Sequence, residues 1–308
     1  MLLHVRHETL YHYTPAVENA QHTAHLRPGN SPVQTVLQHA LQISPQPAQQ
    51  REAIDGYGNS RLFFSLQTSH DELRVVADSV VQTMKNPAHV AHAAAPAWEH
   101  VREAFRYRSG ADFNSAWEFV FASPHVPRHE AFADFAKPSF RPGRPLLEAA
   151  QDLMTRIHSA MIYDGDSTDV DTPALKALEQ GKGVCQDFAH IMVACSRAMG
   201  LPARYVSGYM LTQPAPGQPR LIGCDASHAW ASVYCPTTSD EKSVTAVGQW
   251  FDFDPTNNRA PGDDYVTLAT GRDFLDVSPL RGVIRGGANH TLDVAVTVTP
   301  MPSETEAI

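Results

Sequence analysis

The sequence has no long apolar run and no dense basic run. No stretch approaches the ~20 consecutive apolar residues that a membrane-spanning helix requires, and the opening MLLHVRHETL lacks the apolar segment of a secretion signal. Lysines and arginines number 24 against 33 aspartates and glutamates, for a formal net charge of -9. A nucleic-acid surface needs clustered cations, so the composition argues against that class of partner. We therefore expect a cytoplasmic protein without a membrane or nucleic-acid partner.

Cysteine is scarce, and its spacing excludes the usual structural uses. The four cysteines are Cys185, Cys195, Cys224 and Cys235, and none of them forms a CxxC pair. A zinc site needs paired ligands at short spacing, and a disulfide framework belongs to secreted chains, so neither is expected here. Each thiol has to be judged by its own surroundings. We expect no metal and no organic cofactor.

Residues 1–83 have the alternation that is typical of β-strands. In LLHVRHETLYHY the residues at every second position from Leu3 to Tyr13 fall on one face, and VLQHALQI repeats the pattern. The DGYGNS stretch predicts a turn between two further strands, and ELRVVADSVVQT predicts one more. The segment is interpreted as an N-terminal β-sandwich-like module without chemistry of its own.

The rest of the chain divides into three parts. Residues 84–144 are rich in alanine, proline and histidine and are interpreted as a connector with short helices. In residues 145–265 helical spacing gives way to strand alternation, which predicts an α+β core of helices packed on an antiparallel sheet. Residues 266–308 are predicted to hold a strand that returns to the fold, followed by a frayed tail.

Three helices are predicted within the core. The first covers 146–161, where apolar residues recur at helical spacing. The second is expected to be capped by Thr172, to open at Pro173 and to stop at Gly181. The third covers 185–200, and Cys185 opens it within the stretch GKGVCQDFAH.

The position of Cys185 suits a nucleophile. Free backbone N–H groups and the positive end of the helix dipole favour an anion in the first helical turn, and Gly183 is expected to allow a tight approach to the helix. The same N–H groups could hold the oxyanion of an acyl intermediate. Taken alone this is weak evidence, because many buried helices begin with an inert cysteine. Asp187 in the same turn is explained by the helix dipole.

A base and a carboxylate follow on predicted strands. ASHAWASVY places His228 at the head of one strand, and GQWFDFDPTN ends another with Asp252 and Asp254, whose spacing leaves open which carboxylate meets the imidazole. Trp230 shares a face with His228 and either shields its carboxylate contact from water or simply packs in the core. His190 lies about 140° around the helix from the cysteine and is interpreted as a core residue.

The stretches GVCQDFAH, ASHAWASVY and WFDFDPTN, in this order, resemble the three catalytic blocks of the transglutaminase-like superfamily, which are papain-like cysteine enzymes of Cys-His-Asp type. The opening HVRHETLYHYT is similar to the N-terminal β-region of bacterial members. The resemblance implies a papain-like core in which Cys185 is the nucleophile, His228 the base, and Asp254 rather than Asp252 the carboxylate that orients the imidazole.

The expected activity is cysteine-dependent hydrolysis of a peptide or protein amide through a thioester. Two alternatives remain open: transfer of the acyl group to an amine, including acyltransfer from a thioester donor, and a non-catalytic interaction module on the same fold. Hydrolysis is favoured because no dense acidic and aromatic cluster near the motifs indicates an amine site, and no calcium-gated element is evident. The oligomeric state is left open.

Overall fold

A computed structural model describes residues 1–85, 95–107, 109, 114–165, 167–212, 227–236 and 248–302. Its helices are α1 (Trp98–Ala104), α2 (Glu130–Ala136), α3 (Leu146–Ala160), α4 (Ala174–Gln180), α5 (Cys185–Ala198) and α6 (Phe274–Val277), with a 3₁₀ helix at Ser115–Val120. Its strands are β1 (Leu2–Ala24), β2 (Gln34–Ser44), β3 (Gln49–Ile54), β4 (Ser60–Leu66), β5 (His70–Thr83), β6 (Ile162–Tyr163), β7 (Lys182–Gly183), β8 (Ala203–Met210), β9 (Ser227–Pro236), β10 (Gly248–Phe253), β11 (Tyr265–Gly271), β12 (Leu280–Gly286) and β13 (Asn289–Pro300).

The N-terminal strands form a seven-stranded sheet around β1. The sheet order is β2-β5-β1-β4-β3, and β12 and β13 also pair with β1. The alternation predicted for β1 is confirmed, because Leu3, Val5, His7 and Thr9 are all buried. The first half of β1 pairs with β5 and β13, and its second half pairs with β4 and β12.

The two halves of this sheet enclose a core of their own. Leu73 and Val75 of β5 are buried in one apolar cluster with Phe64 and Leu66 of β4, although β4 and β5 are not paired. The pairing register of β1 shifts between His12 and Val17 against β5, and between Val17 and Asn19 against β12. The strand-rich N-terminal region is therefore confirmed, and two strands from the C-terminal segment complete it.

The core is an antiparallel four-stranded sheet with helices packed against it. The sheet order is β10-β9-β8-β11, and α5 packs on β8 and β9. Every residue of α5 from Gln186 to Arg197 is buried, and its apolar side chains join one cluster with α3 and with β9 and β10. The predicted α+β fold class is confirmed. A buried central helix gives a fixed platform for the residue at its N-terminus.

The N-terminal sheet packs directly on the core sheet. Val5 and Val81 lie in one buried cluster with Tyr209 of β8 and with Val266 and Leu268 of β11. Within this contact the Tyr209 hydroxyl and His7 Nδ1 are hydrogen-bonded at 2.9 Å. The edge strand of the core sheet is thus covered by the N-terminal module.

One local prediction, the capping of α4, needs correction. The N-cap of α4 is Pro173 without a side-chain hydrogen bond, because the Thr172 hydroxyl instead accepts from the Asp169 N–H at 2.9 Å. Gly181 ends α4 in the left-handed region, φ 65°, as predicted. β11 (Tyr265–Gly271) runs across the predicted division at residue 265, and the C-terminal segment holds β12 ahead of the predicted strand, which is β13.

Two further points concern membranes and the tail. None of the helices in the described ranges combines the length and apolarity that a bilayer crossing needs. The frayed tail was predicted at PSETEAI, and 303–308 lie outside the described residues.

Candidate active site

Cys185 is the first residue of α5 and lies half-buried where the core sheet meets the helix. Its Sγ lies 3.9 Å from the carbonyl oxygen of Ser227, the residue that precedes His228 on β9. The side chain packs at the margin of a small cluster that contains Tyr205 and Ala229. The start of α5 and the start of β9 thus bring the predicted nucleophile and the predicted base together.

Asp187 holds the turn that presents Cys185. Its Oδ2 accepts the Val184 N–H at 2.8 Å and the Thr168 hydroxyl at 2.7 Å. The first of these bonds satisfies the N-cap N–H of α5, as in one half of a capping box. Burial raises the pKa of Asp187 against the lowering effect of these hydrogen bonds. Asp187 therefore does more than complement the helix dipole, because it also ties the 167–170 loop to the cysteine turn.

The role of Gly183 differs from the one predicted. Gly183 lies in β7 and has no positive φ. A Cβ at this position would come within 2.5 Å of Asp187 Oδ2. The glycine is required because the Asp187 carboxylate packs against the chain there.

His228 and Asp254 form a buried hydrogen-bonded pair. His228 Nε2 lies 2.7 Å from Asp254 Oδ2, and the two side chains are 8% and 0% exposed. An ionised carboxylate only accepts, so Nε2 carries the hydrogen and Nδ1 is left to face the sulfur. Burial by itself lowers the pKa of His228, but the hydrogen bonds to Asp254 and Cys185 outweigh it and raise the pKa to about 10. The arrangement favours an imidazolium beside the Cys185 sulfur.

Asp254 receives five hydrogen-bond donors. Oδ2 accepts from His228, from the Tyr265 hydroxyl at 2.7 Å and from Asn257 Nδ2 at 2.8 Å. Oδ1 accepts the backbone N–H groups of Thr256 at 2.9 Å and Asn257 at 3.2 Å. Burial raises the pKa of the carboxyl, and the bonds from His228, Asn257 and Tyr265 reverse that effect and lower it. A fully buried carboxylate stays ionised only when several hydrogen-bond donors offset the free-energy cost of removing its charge from water.

Asp252 lies away from the imidazole. It pairs with Ser232 across β9 and β10, and the Ser232 hydroxyl donates to its carboxylate. Its charge acts on Arg204, whose pKa is lowered by burial and partly restored by Asp252. The structure thus gives His228 one carboxylate, Asp254, where the spacing alone had left two.

Trp230 packs beside the pair rather than at the surface. Its ring is fully buried, with its centroid 6.1 Å from that of His228 and 5.4 Å, at 90°, from that of Tyr265. A Cβ on Gly208 would come within 2.5 Å of Trp230 Cη2 and would also overlap the Val266 carbonyl oxygen. Gly208 therefore leaves the space that the indole fills. Core packing and exclusion of water from the pair are both served by this one ring.

His190 is a core residue, as predicted. It is fully buried, and its Nε2 accepts the Phe274 N–H at 3.2 Å. Its ring stacks on His125 with centroids 5.2 Å apart. Burial, together with the charges of His125 and Arg197, holds the pKa of His190 well below its usual value, so the ring is neutral.

Two surfaces flank the cysteine and the histidine. On one side, β6 pairs in parallel with β7, and the exposed side chains of Ile162 and Tyr163 lie on it just ahead of Cys185. On the other side, a cleft of about 460 Å³ is lined by Met210, Leu211, Asn257 and Arg259, among others. The Cys185 sulfur therefore has an exposed surface on one side and a cleft on the other.

Sequence reasoning missed three residues of this site. Asn257 belongs to the stretch WFDFDPTN, and a polar residue in the turn after the carboxylate was a signal that could have been used. Tyr265 and Gly208 carry no local signal, because their contacts depend on how β11 pairs with β8. No group of three or more histidine, cysteine, aspartate or glutamate side chains in the described ranges could hold a metal ion.

The remaining cysteines differ from Cys185 in exposure. Cys195 is fully buried in α5 and Cys235 is 3% exposed on β9. Burial raises the pKa of both thiols, to about 12 for Cys235. Cys224 lies outside the described residues.

Iodoacetamide at neutral pH is expected to alkylate Cys185 before any other cysteine. The reason is that its sulfur is partly exposed and lies beside an imidazolium, while Cys195 and Cys235 are buried and protonated. Peptide mapping after limited alkylation measures the order of labelling. Unfolded protein, in which all four thiols react, is the control. Faster labelling of Cys224 or Cys235 would remove the nucleophile assignment.

Two family models match the chain. The model for the transglutaminase-like superfamily matches residues 133–255, and the model for the bacterial transglutaminase-like N-terminal region matches residues 3–82. The first match contains Cys185, His228 and Asp254. Together the two matches cover the first five strands of the N-terminal sheet, almost in full, and three of the four strands of the core sheet.

The chain is also similar to whole proteins. It is 38% identical over 304 residues to an uncharacterised protein of Mycobacterium tuberculosis, covering 97% of this chain and 93% of that protein. It is 29% identical to an uncharacterised protein of Mycobacterium leprae, covering 96% of this chain and 98% of that one. The crystal structure of a protein named putative cysteine protease, from Cytophaga hutchinsonii, superposes with a TM-score of 0.72 at 19% identity, covering 99% of this chain and 92% of the other. The last likeness is one of fold.

Proposed function

Because the chain belongs to the transglutaminase-like superfamily and carries the bacterial transglutaminase-like N-terminal region, we propose that it is a cysteine-dependent amide hydrolase, a peptidase or amidase. The observation that carries the proposal is the buried His228–Asp254 pair, 2.7 Å between Nε2 and Oδ2, beside a partly exposed cysteine at the start of a helix. This is the constellation that nucleophilic catalysis by a thiol needs.

In the proposed mechanism the Cys185 thiolate attacks the carbonyl carbon of an amide. The carbonyl oxygen takes up the negative charge, and the backbone N–H groups at the start of α5, that of Cys185 among them, stabilise it. The C–N bond then breaks, and His228 gives its Nδ1 proton to the departing amine. A thioester on Sγ remains.

Water completes the cycle. His228, now neutral, takes a proton from a water molecule while the water oxygen attacks the thioester carbonyl. The C–S bond then breaks and releases a carboxylic acid and the Cys185 thiolate. Asp254 holds the imidazole through Nε2 in both half-reactions and stabilises its charged form. Neither step calls for a metal or an organic cofactor.

The substrate class we propose is a peptide or protein amide. The exposed side chains of Ile162, Tyr163 and Val170 lie on the segment ahead of Cys185 and offer apolar contact to a chain that enters from that side. Gln186 Nε2 donates to the Val170 carbonyl at 2.9 Å, which fixes this segment on α5. The cleft at Met210 and Asn257 would receive the part of the chain beyond the scissile bond.

Transfer of the acyl group to an amine is the second candidate. The observation in its favour is that Tyr163, followed by Asp164, lies close to the sulfur: burial and then the charge of Cys185 raise the pKa of the phenol. An aromatic ring and a carboxylate are groups that could hold a cationic amine. Asp164 is however engaged with Lys182 at 3.2 Å, so hydrolysis remains the first proposal.

A peptide library digested in the presence and absence of a primary amine at millimolar concentration is expected to give the carboxylic acid as the main product in both arms. Water is present at ~55 M, and only a site that excludes it and positions the amine can reverse the outcome. Mass spectrometry separates the acid from the amine adduct, and Cys185→Ala is the control for background cleavage. Adducts in excess of the acid would establish the transferase instead. If no peptide gave any product, the chain would have to be regarded as a non-catalytic interaction module on this fold.

A further inference from the structure

We propose that Tyr265 is a positioning residue for the His228–Asp254 pair, and that the N-terminal sheet holds Tyr265 in place through Gln34 and Asn59. The proposal rests on the proposed function, because it assigns a role within the same site. It also gives the N-terminal module a task beyond its own fold.

Tyr265 contacts the carboxylate and not the sulfur. Its hydroxyl donates to Asp254 Oδ2 at 2.7 Å, the oxygen that His228 also contacts. The phenol ring packs at 90° on Trp230, and the Arg259 guanidinium lies 4.5 Å from its centroid on a cation–π contact. The ring is therefore fixed by its neighbours, and its hydroxyl has one place to donate.

The position of Tyr265 depends on where β11 lies. Tyr265 is the first residue of this strand, which pairs with β8 on one side only. An edge strand exposes a row of N–H and C=O groups that need partners when they are buried. In β11 those partners come from two amide side chains of the N-terminal module, Gln34 at the start of β2 and Asn59 just before β4.

Gln34 and Asn59 pair with β11 as a neighbouring strand would. Gln34 donates to the Thr267 carbonyl at 2.8 Å, and its Oε1 accepts the Thr267 N–H at 2.7 Å. Asn59 donates to the Thr270 carbonyl at 2.8 Å, and its Oδ1 accepts the Thr270 N–H at 2.8 Å. Both amides are buried, at 4% and 7% exposure, so each pair is costly to break.

Each amide is itself held from the N-terminal side. Gln34 Nε2 also donates to the Gly29 carbonyl at 2.7 Å, and Asn59 Nδ2 also donates to Asp55 Oδ2 at 2.9 Å. Near the start of β11 the Thr83 hydroxyl donates to the Asp263 carbonyl oxygen. A continuous set of contacts thus runs from the N-terminal sheet through β11 and Tyr265 to Asp254.

The first variant is Tyr265→Phe, which keeps the ring and removes the hydroxyl. Without the bond that this hydroxyl donates, the Asp254 carboxylate can turn away from the imidazole, so the His228 imidazolium loses its partner and the acidic limb of Cys185 alkylation moves to higher pH. We expect a roughly tenfold slower alkylation on that limb, as for loss of one hydrogen bond to a charged group. The titratable and charged groups around the pair are Cys185, Tyr265 and, behind the phenol ring, Arg259 with Asp264.

The second set of variants tests the N-terminal sheet. Gln34→Ala and Asn59→Ala are expected to shift the alkylation profile in the same direction as Tyr265→Phe. Gln34→Glu keeps the acceptor for the Thr267 N–H but places a buried carboxylate oxygen against the Gly29 and Thr267 carbonyl oxygens, so a shift at least as large as that of Gln34→Ala is expected. Gln38→Ala is the matched control, because Gln38 is exposed on the same strand and should leave the profile unchanged.

The double variant Gln34→Ala with Tyr265→Phe tests whether Gln34 acts on the His228–Asp254 pair through Tyr265. Non-additive shifts are expected, since a displaced β11 has already lost the Tyr265 bond. Thermal unfolding is measured beside the alkylation of each variant. A lower unfolding temperature with an unchanged profile, or shifts that add, would reduce the N-terminal contacts to a structural role and overturn the proposal. Slow alkylation of Cys185 in the parent protein would instead count against the proposed function.

Discussion

Asp254→Asn is expected to lower turnover by about 10⁴-fold, as loss of the carboxylate does in comparable nucleophile–histidine–aspartate sites. An asparagine offers one acceptor oxygen where five donors converge. If the amide oxygen replaces Oδ1, the NH₂ group meets His228, Tyr265 and Asn257 and the imidazole has to change tautomer. If it replaces Oδ2, the NH₂ group meets the two backbone N–H groups. In either orientation the charge that supports the imidazolium is gone.

The matched control is Asp252→Asn. Asp252 sits two residues earlier, contacts Ser232 and faces Arg204, so its loss is expected to change turnover several-fold at most. Steady-state kinetics on the substrate found in the library screen measures both variants, and thermal unfolding shows whether each is folded. If Asp252→Asn proves the more damaging of the two, the assignment of the carboxylate is wrong by two residues.

The same site shows how far local sequence information reaches. Cys185 was predicted at a helix start and His228 at a strand head, and α5 and β9 begin at or one residue before these positions. Asp254 was chosen over Asp252 by the resemblance alone, since both fall on one face of the strand. The structure separates them because the chain turns after Phe253 and directs Asp254 toward β11.

What could not be predicted are the contacts between elements that are far apart in the chain. Gln34 and Asn59 meet β11 across more than two hundred residues, and no periodicity marks an amide that will complete a strand edge. The same holds for β13, whose alternation predicts a strand without saying that β1 is its partner, and β12, which also pairs with β1, was not predicted. Gly183 was assigned to a turn, whereas it is required by a carboxylate four residues later. Local sequence patterns therefore predict the helices and strands, whereas the geometry of the site depends on how those elements pack together.

Gly208→Ala is expected to damage both stability and activity. The added Cβ would overlap the Val266 carbonyl oxygen and lie 2.5 Å from Trp230 Cη2, so a backbone atom and a fully buried ring would have to move together. Overpacking of this kind costs about 1–3 kcal/mol of the free energy of unfolding. The cost should fall toward the upper end, because the carbonyl belongs to β11 and cannot rotate away as a side chain would.

The effect on turnover follows from what Trp230 touches. The indole lies against the imidazole of His228 and against the phenol of Tyr265, the two groups that meet at Asp254 Oδ2. A displacement of order 1 Å at this ring would misalign both, and misplacement on that scale can cost about 10²-fold in rate. Gly56→Ala is the control, because a Cβ at Gly56 meets nothing within 4 Å and should leave unfolding and turnover unchanged. Chemical denaturation and steady-state kinetics measure the two effects separately. A Gly208→Ala protein with the parent's stability and turnover would show that β8 can shift without disturbing the pair, and the close packing of Trp230 would then have no part in holding the site.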